Sequence, residues 1–184
     1  MTAVSFAPEM LALAFAIAAS AGVVRGITGF GGALVMTPPI ALLFGPAIAV
    51  PVALFLESLV AAPMLVQTRS EMRLRIVGPI LATACATVPL GAWVLRTADP
   101  ELLRRAIAAI VIVFSLLLLH GWRYAGRQRM ATSIGLGALS GAMAGATSIG
   151  GPPVIMYLLS GPDAIATTRA NLTLFVAVTS LAAI

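Results

Sequence analysis

The stretch GITGFGG, Gly26 to Gly32, interrupts an apolar run, and GATSIGG, Gly145 to Gly151, repeats it 119 residues later. Glycine inside a helix costs about 1 kcal/mol relative to alanine. Two such clusters in apolar sequence therefore mark two places where a helix breaks. At the same offset Gly22, Gly26, Thr28, Gly31, Gly32 and Val35 meet Gly141, Gly145, Thr147, Gly150, Gly151 and Val154, and Gly45-Pro46 meets Gly161-Pro162 after a three-residue slip. The order is the same in both halves: apolar segment, glycine break, second apolar segment, Gly-Pro, then a longer span. A duplication is the economical reading.

Outward from the breaks, Met10 to Val24 is 15 residues and Ala33 to Phe44 is 12. As helices these would be roughly 22 and 18 Å long, and neither crosses a hydrocarbon core of about 30 Å. The expectation is two half-helices joined inside a membrane, either as one broken crossing or as a re-entrant hairpin. The second form would make the halves inverted repeats, and it is favoured because no basic residue precedes Arg25. Longer spans are expected at about 46–67, 76–95 and 102–122, with Asp99 as N-cap and Pro100 at the first helical position. A further apolar stretch, Ser133 to Thr147, enters the second break, and a last segment begins near Asp163.

Composition agrees. Apolar residues make up 60% of the chain and charged residues 9%, against roughly 25% charged in soluble domains; the mean hydropathy is +1.07. The fold class is an all-α polytopic membrane protein, one transmembrane domain over 1–184. Repeat one covers about 9–122, a basic loop 123–131, and a partial, truncated repeat two about 132–184.

The net charge of +5 does not call for a nucleic-acid partner. All eleven basic residues are arginine, and Arg69, Arg73, Arg75, Arg123, Arg127 and Arg129 fall in two loops. Basic loops report orientation: loops 68–75 and 123–131 are read as cytoplasmic, and two spans between them put both on one side. The lone Cys85 reads as a small buried hydrophobe and His120 as an interfacial residue. One thiol and one histidine make no protein-only zinc site, so no metal or cofactor is expected, and no nucleophile–base set points to an enzyme. The N-terminus lacks the basic region of a cleavable signal.

Broken helices expose backbone N–H groups, tolerated at membrane depth where protein covers them or a polar cavity receives them. Helix N-termini favour anions, and paired broken segments point to a transport site. The candidate ligand-facing residues are Gly26, Thr28, Gly29, Gly31 and Gly32 in the first break and Gly145, Thr147, Ser148, Gly150 and Gly151 in the second. Gly22 and Gly141 read better as small-residue helix packing. Arg25 either attracts an anion or snorkels to an interface. Glu57, mid-span, either pairs with an arginine or carries a coupling proton. Arg169 and Asn171 open the matching span of the second half and are candidates to face the anion.

The segments GVVRGITGFGGALVMTPPI and GAMAGATSIGGPPVIMYLLSGPDAIATTRANL resemble the two glycine-rich motifs of the sulfite exporter TauE/SafE family of membrane permeases. The resemblance covers the whole chain in order, although the family pattern runs about two helices further. It implies export or uptake of small anions, often sulfite or organosulfonates, across a bacterial inner membrane, through a central site between the repeats. The glycine run here is interrupted by Phe30 and Ile149, and Ser148 stands where Gly29 does, so the pocket shape and substrate stay open. A secondary transporter of a small anion is the leading reading. A passive anion channel and a non-transporting membrane assembly partner are the alternatives. The partners expected are the anion and the lipid bilayer, with homo-oligomerisation left open.

Overall fold

The computed structural model describes residues 7–122, 124, 126 and 128–184. Eight α-helices follow one another, α1 Pro8–Thr28, α2 Gly32–Phe44, α3 Pro46–Thr68, α4 Leu74–Thr97, α5 Pro100–Leu119, α6 Met130–Thr147, α7 Gly151–Leu158 and α8 Ile165–Ala183, with a short 3-10 turn at Arg69–Glu71. No strand occurs among the described residues. Prolines start α1, α3 and α5, where their missing N–H is no loss. Asp99 caps α5 as expected, its carboxylate accepting from the amides of Glu101 (2.9 Å) and Leu102 (3.0 Å).

Helices α1, α3, α4, α5 and α8 are long and apolar enough to cross a membrane. The chain is an all-α polytopic membrane protein, and its exposed surface fits: Phe15, Ile27, Leu42, Leu116 and Leu119 stand more than half exposed, as lipid-facing side chains do.

One expectation fails. The segment before the first break is not a half-helix of 15 residues: α1 has 21, about 31 Å. It runs on through Arg25, Gly26 and Thr28 because neither polar side chain forces a stop. The Arg25 charge is neutralised by Glu57, and the Thr28 hydroxyl donates back to the Val24 carbonyl (2.8 Å). The second repeat behaves alike: α6 runs through Gly145 to Thr147, whose hydroxyl donates to Met143 (2.8 Å). Of the four segments around the breaks, the short ones are α2, with 13 residues, and α7, with 8.

Both breaks are hairpins. Helix α2 folds back along α1, so that Met36 stands beside Ala18 and Ala21. Helix α7 folds back along α6, so that Tyr157 near its end hydrogen-bonds Ser133 near the start of α6 (2.7 Å). The first hairpin tip reaches Glu57, which has eleven residues of α3 on either side. The second lies against Leu172 and Val176, at the middle of α8. Long as it is, α1 therefore ends level with the midpoint of α3.

Helices α3 and α8, the spans that follow Gly-Pro in each half, pack together and run antiparallel. The turn after α3 meets the start of α8: Arg73 pairs with Asp163 (2.8 Å), and its amide donates to the Asn171 Oδ1 (2.8 Å). The halves are thus inverted. Both basic loops lie at one end of the bundle, since Tyr124 and Gln128 bond the carbonyls of Met156 and Tyr157 beside the same connection. Arg123 and Arg127 of that loop lie outside the described residues. At the other end Arg104 of α5 donates to the Ala41 carbonyl of α2 (3.2 Å).

Candidate functional site

The two tips are built by the same local chemistry. Each long helix ends in a left-handed residue, Gly29 (φ 82°) or Ser148 (φ 61°). The amide of that residue closes the last turn onto Arg25 O (2.7 Å) or Ala144 O (2.8 Å). The preceding threonine hydroxyl then receives the amide two residues on, Phe30 or Ile149, at 3.3 Å in both cases. Thr28 and Thr147 thereby staple the tips and spend their hydroxyls on backbone. After the staple the chain turns at Gly31 (φ 86°) or Gly150 and enters the short helix. The first amides of α2 have no intrahelical partner, whereas Pro152 and Pro153 leave Gly151 the one N–H among the first three residues of α7.

The tips meet. Thr37 of α2 and Ser148 share a buried hydrogen bond of 2.7 Å; Ser148 donates to the Thr147 carbonyl (2.5 Å), which leaves Thr37 as the donor of the pair. Between the tips lies a cavity of about 30 Å³ lined by Arg25, Gly31, Glu57, Ser148, Gly151 and Val176, among others. A second, of about 80 Å³, lies beside it between α1, α2 and α3, and Arg25 and Glu57 border that one too.

Arg25 and Glu57 form an ion pair buried to 2% and 3% exposure. One guanidinium nitrogen, Nη1, faces the carboxylate, while Nε and Nη2 have no hydrogen-bond partner among the described residues. The carboxylate also lies over the start of α2: the Ala33 amide is directed at it, and a side chain on Gly32 would collide with its Oε1. Gly32 is needed for that close approach.

The other sequence candidates sit around this centre. Arg169 lies against Gly29, where an added Cβ would come within 2.6 Å of its Nε, and its Nη2 donates to the Ile27 carbonyl at 3.4 Å. A cation at a helix C-terminus is favoured by the helix dipole, so Arg169 caps α1. Asn171 gives its oxygen to Arg73, away from the cavity lining, and its Nδ2 is buried without a partner among the described residues. Gly26 is exposed with open space around it, Gly145 packs on the Val88 carbonyl of α4, and Gly150 packs on Ser140 and Ala144. Thr37 was not singled out from sequence; a threonine inside an apolar helix ahead of Pro38-Pro39 was the available signal.

A chain with this architecture, two inverted halves each carrying a re-entrant hairpin whose tips converge on a buried polar centre, belongs to the class of multi-pass membrane transporters. Residues 14–184 match the family model described as Sulfite exporter TauE/SafE. The chain belongs to that family, and so among membrane transporters of sulfite or related compounds. No match was found among curated proteins or among solved structures.

Proposed function

We propose that this protein is a secondary transporter of a small anion, sulfite or an organosulfonate or related sulfur-containing compound, across the bacterial inner membrane. The anion binds between the hairpin tips, held by Arg25, by the first amides of α2 and by the Gly151 amide of α7, with Ser148 lining the space. The observation that carries this reading is a buried guanidinium with two unpartnered nitrogens bordering a cavity that both tips line. An arginine at that depth is expensive and marks a functional site, and helix N-termini add donors aimed at negative charge.

Inverted halves supply the movement. Rocking one hairpin and its span against the other alternates access to a fixed central site. The basic loops 68–75 and 123–131, together at one end, face the cytoplasm on the positive-inside rule, which leaves the start of α1 outside. The test is counterflow in proteoliposomes with labelled sulfite, sulfonates and carboxylates. The expected result is displaceable uptake of a sulfur oxyanion, with transient accumulation above equilibrium that a passive channel would not give. No displaceable uptake of any of these anions refutes the reading.

A further inference from the structure

The anion site already holds an anion, and it is the protein's own. The Glu57 carboxylate faces Nη1 of Arg25, has the Ala33 amide at the head of α2 directed at it, and occupies the space that glycine at position 32 leaves free. These are the contacts that a bound oxyanion would want. We infer that Glu57 is a resident competitor, which the transported anion must displace from Arg25 in order to bind and which expels that anion when it returns. This inference rests on the transporter reading given above.

The geometry supplies the reasons. An unpaired guanidinium at this depth is costly, so the site between transport events needs a counter-charge, and Glu57 provides it. With the carboxylate in place the cavity between the tips measures about 30 Å³, room for a water or two by the usual requirement of roughly 10–15 Å³ each. The adjoining cavity of about 80 Å³, bounded by Ala18, Ala21, Gly22 and Met36, gives the displaced side chain somewhere to go, away from Ser148. Apart from Arg25 and Glu57 itself that cavity is lined by apolar side chains and glycines, so a carboxylate held there is less well solvated than at the start of α2, and its return drives release. Moving the carboxylate off Nη1 keeps two negative groups from sharing one face of the guanidinium, where they would repel. The carrier thus gives up affinity and gains turnover: an internal ligand lowers the fraction of binding-competent sites, and the apparent affinity falls by that fraction.

The experiment uses the full chain in lipid nanodiscs, titrated with sodium sulfite and read by thermal shift, with counterflow measured in parallel on proteoliposomes. Glu57→Gln is expected to bind sulfite about tenfold or more tighter than wild type and to exchange it more slowly. If Glu57→Gln is poorly folded without anion, sulfite restores its melting midpoint, which is the same result read as rescue. The double variant Arg25→Gln/Glu57→Gln, which removes the unpaired charge, loses the sulfite-dependent shift. Wild-type counterflow together with a Glu57→Gln affinity equal to or weaker than wild type overturns the inference and leaves the transporter reading standing. Absence of any anion counterflow by wild type overturns both.

Discussion

The two halves of the molecule share a backbone and differ in charge. Their tips superimpose in logic: the same threonine staple, the same left-handed exit, the same glycine entry to a short helix. Yet Arg25 of the first half meets Ala144 in the second. Glu57, aligned through the Gly-Pro pairs, meets Thr173. Both members of the ion pair are thus confined to one repeat. Duplication supplied a scaffold of two re-entrant tips, and the polar chemistry was placed on one of them, with the other offering Ser148 and the start of α7. The packing differs as well. The glycine face of α6, Gly137, Gly141 and Gly145, lies directly on the backbone of α4, while its counterpart on α1, Gly22 and Gly26, has nothing within 4 Å.

The largest effect expected from this asymmetry is at the ion pair. Arg25→Ala leaves a buried carboxylate without its partner, and removing one member of such a pair costs about 3–5 kcal/mol. A drop of that size in unfolding free energy, measured by steric trapping in bicelles, together with loss of anion uptake, is the expected outcome; a stability within error of wild type would mean the halves are not electrostatically distinct.

The next contrast has opposite signs at aligned positions. Gly141→Ala adds a methyl that meets the Ala84 backbone and the Thr87 side chain, and overpacking of this kind costs about 1–3 kcal/mol. Gly22→Ala adds one in open space and gains helix propensity of up to about 1 kcal/mol. Melting midpoints of the two variants should move in opposite directions; equal shifts would erase the packing difference.

The smallest effects belong to the tips. Gly29→Ser puts a side chain on a left-handed residue pressed against Arg169, at a cost of about 1–2 kcal/mol from the backbone alone. Ser148→Gly relieves the same backbone cost and gives up the hydrogen bond to Thr37, worth about 1 kcal/mol, so its net change should lie near zero. If the reciprocal swaps instead proved equally harmful, the two tips would not be the interchangeable scaffold described here.

Much of this was legible in the sequence because it depends on local chemistry. Glycine clusters, Gly-Pro starts and the Asp99 cap act within a few residues, and their repetition at a fixed offset exposed the duplication. Glu57 stood out because a mid-span carboxylate must be paired or used. What the sequence hid depends on the fold. Arg25 and Glu57 are 32 residues apart, and pairing was one of two options until α2 folded back between them. The same pairing explains why α1 continues through Arg25 to Thr28 instead of stopping at Val24: a charge that looks like a helix boundary in an apolar run is neutralised in place. Asn171 and Arg169 were singled out as polar residues that open the matching span of the second half. Their partners, the Arg73 amide and the C-terminus of α1, lie 98 and 142 residues away in the chain, beyond the reach of any local pattern. Thr37 was overlooked for the same reason, since its partner Ser148 is 111 residues distant.

The central claim is that both hairpin tips form a single anion site around Arg25. Selenite is a sulfite isostere whose selenium can be located by anomalous scattering in crystals of the full chain. One selenium peak is predicted between the tips, within hydrogen-bonding range of the Arg25 guanidinium. Selenite bound elsewhere, with the space between the tips empty at saturating concentration, would contradict it.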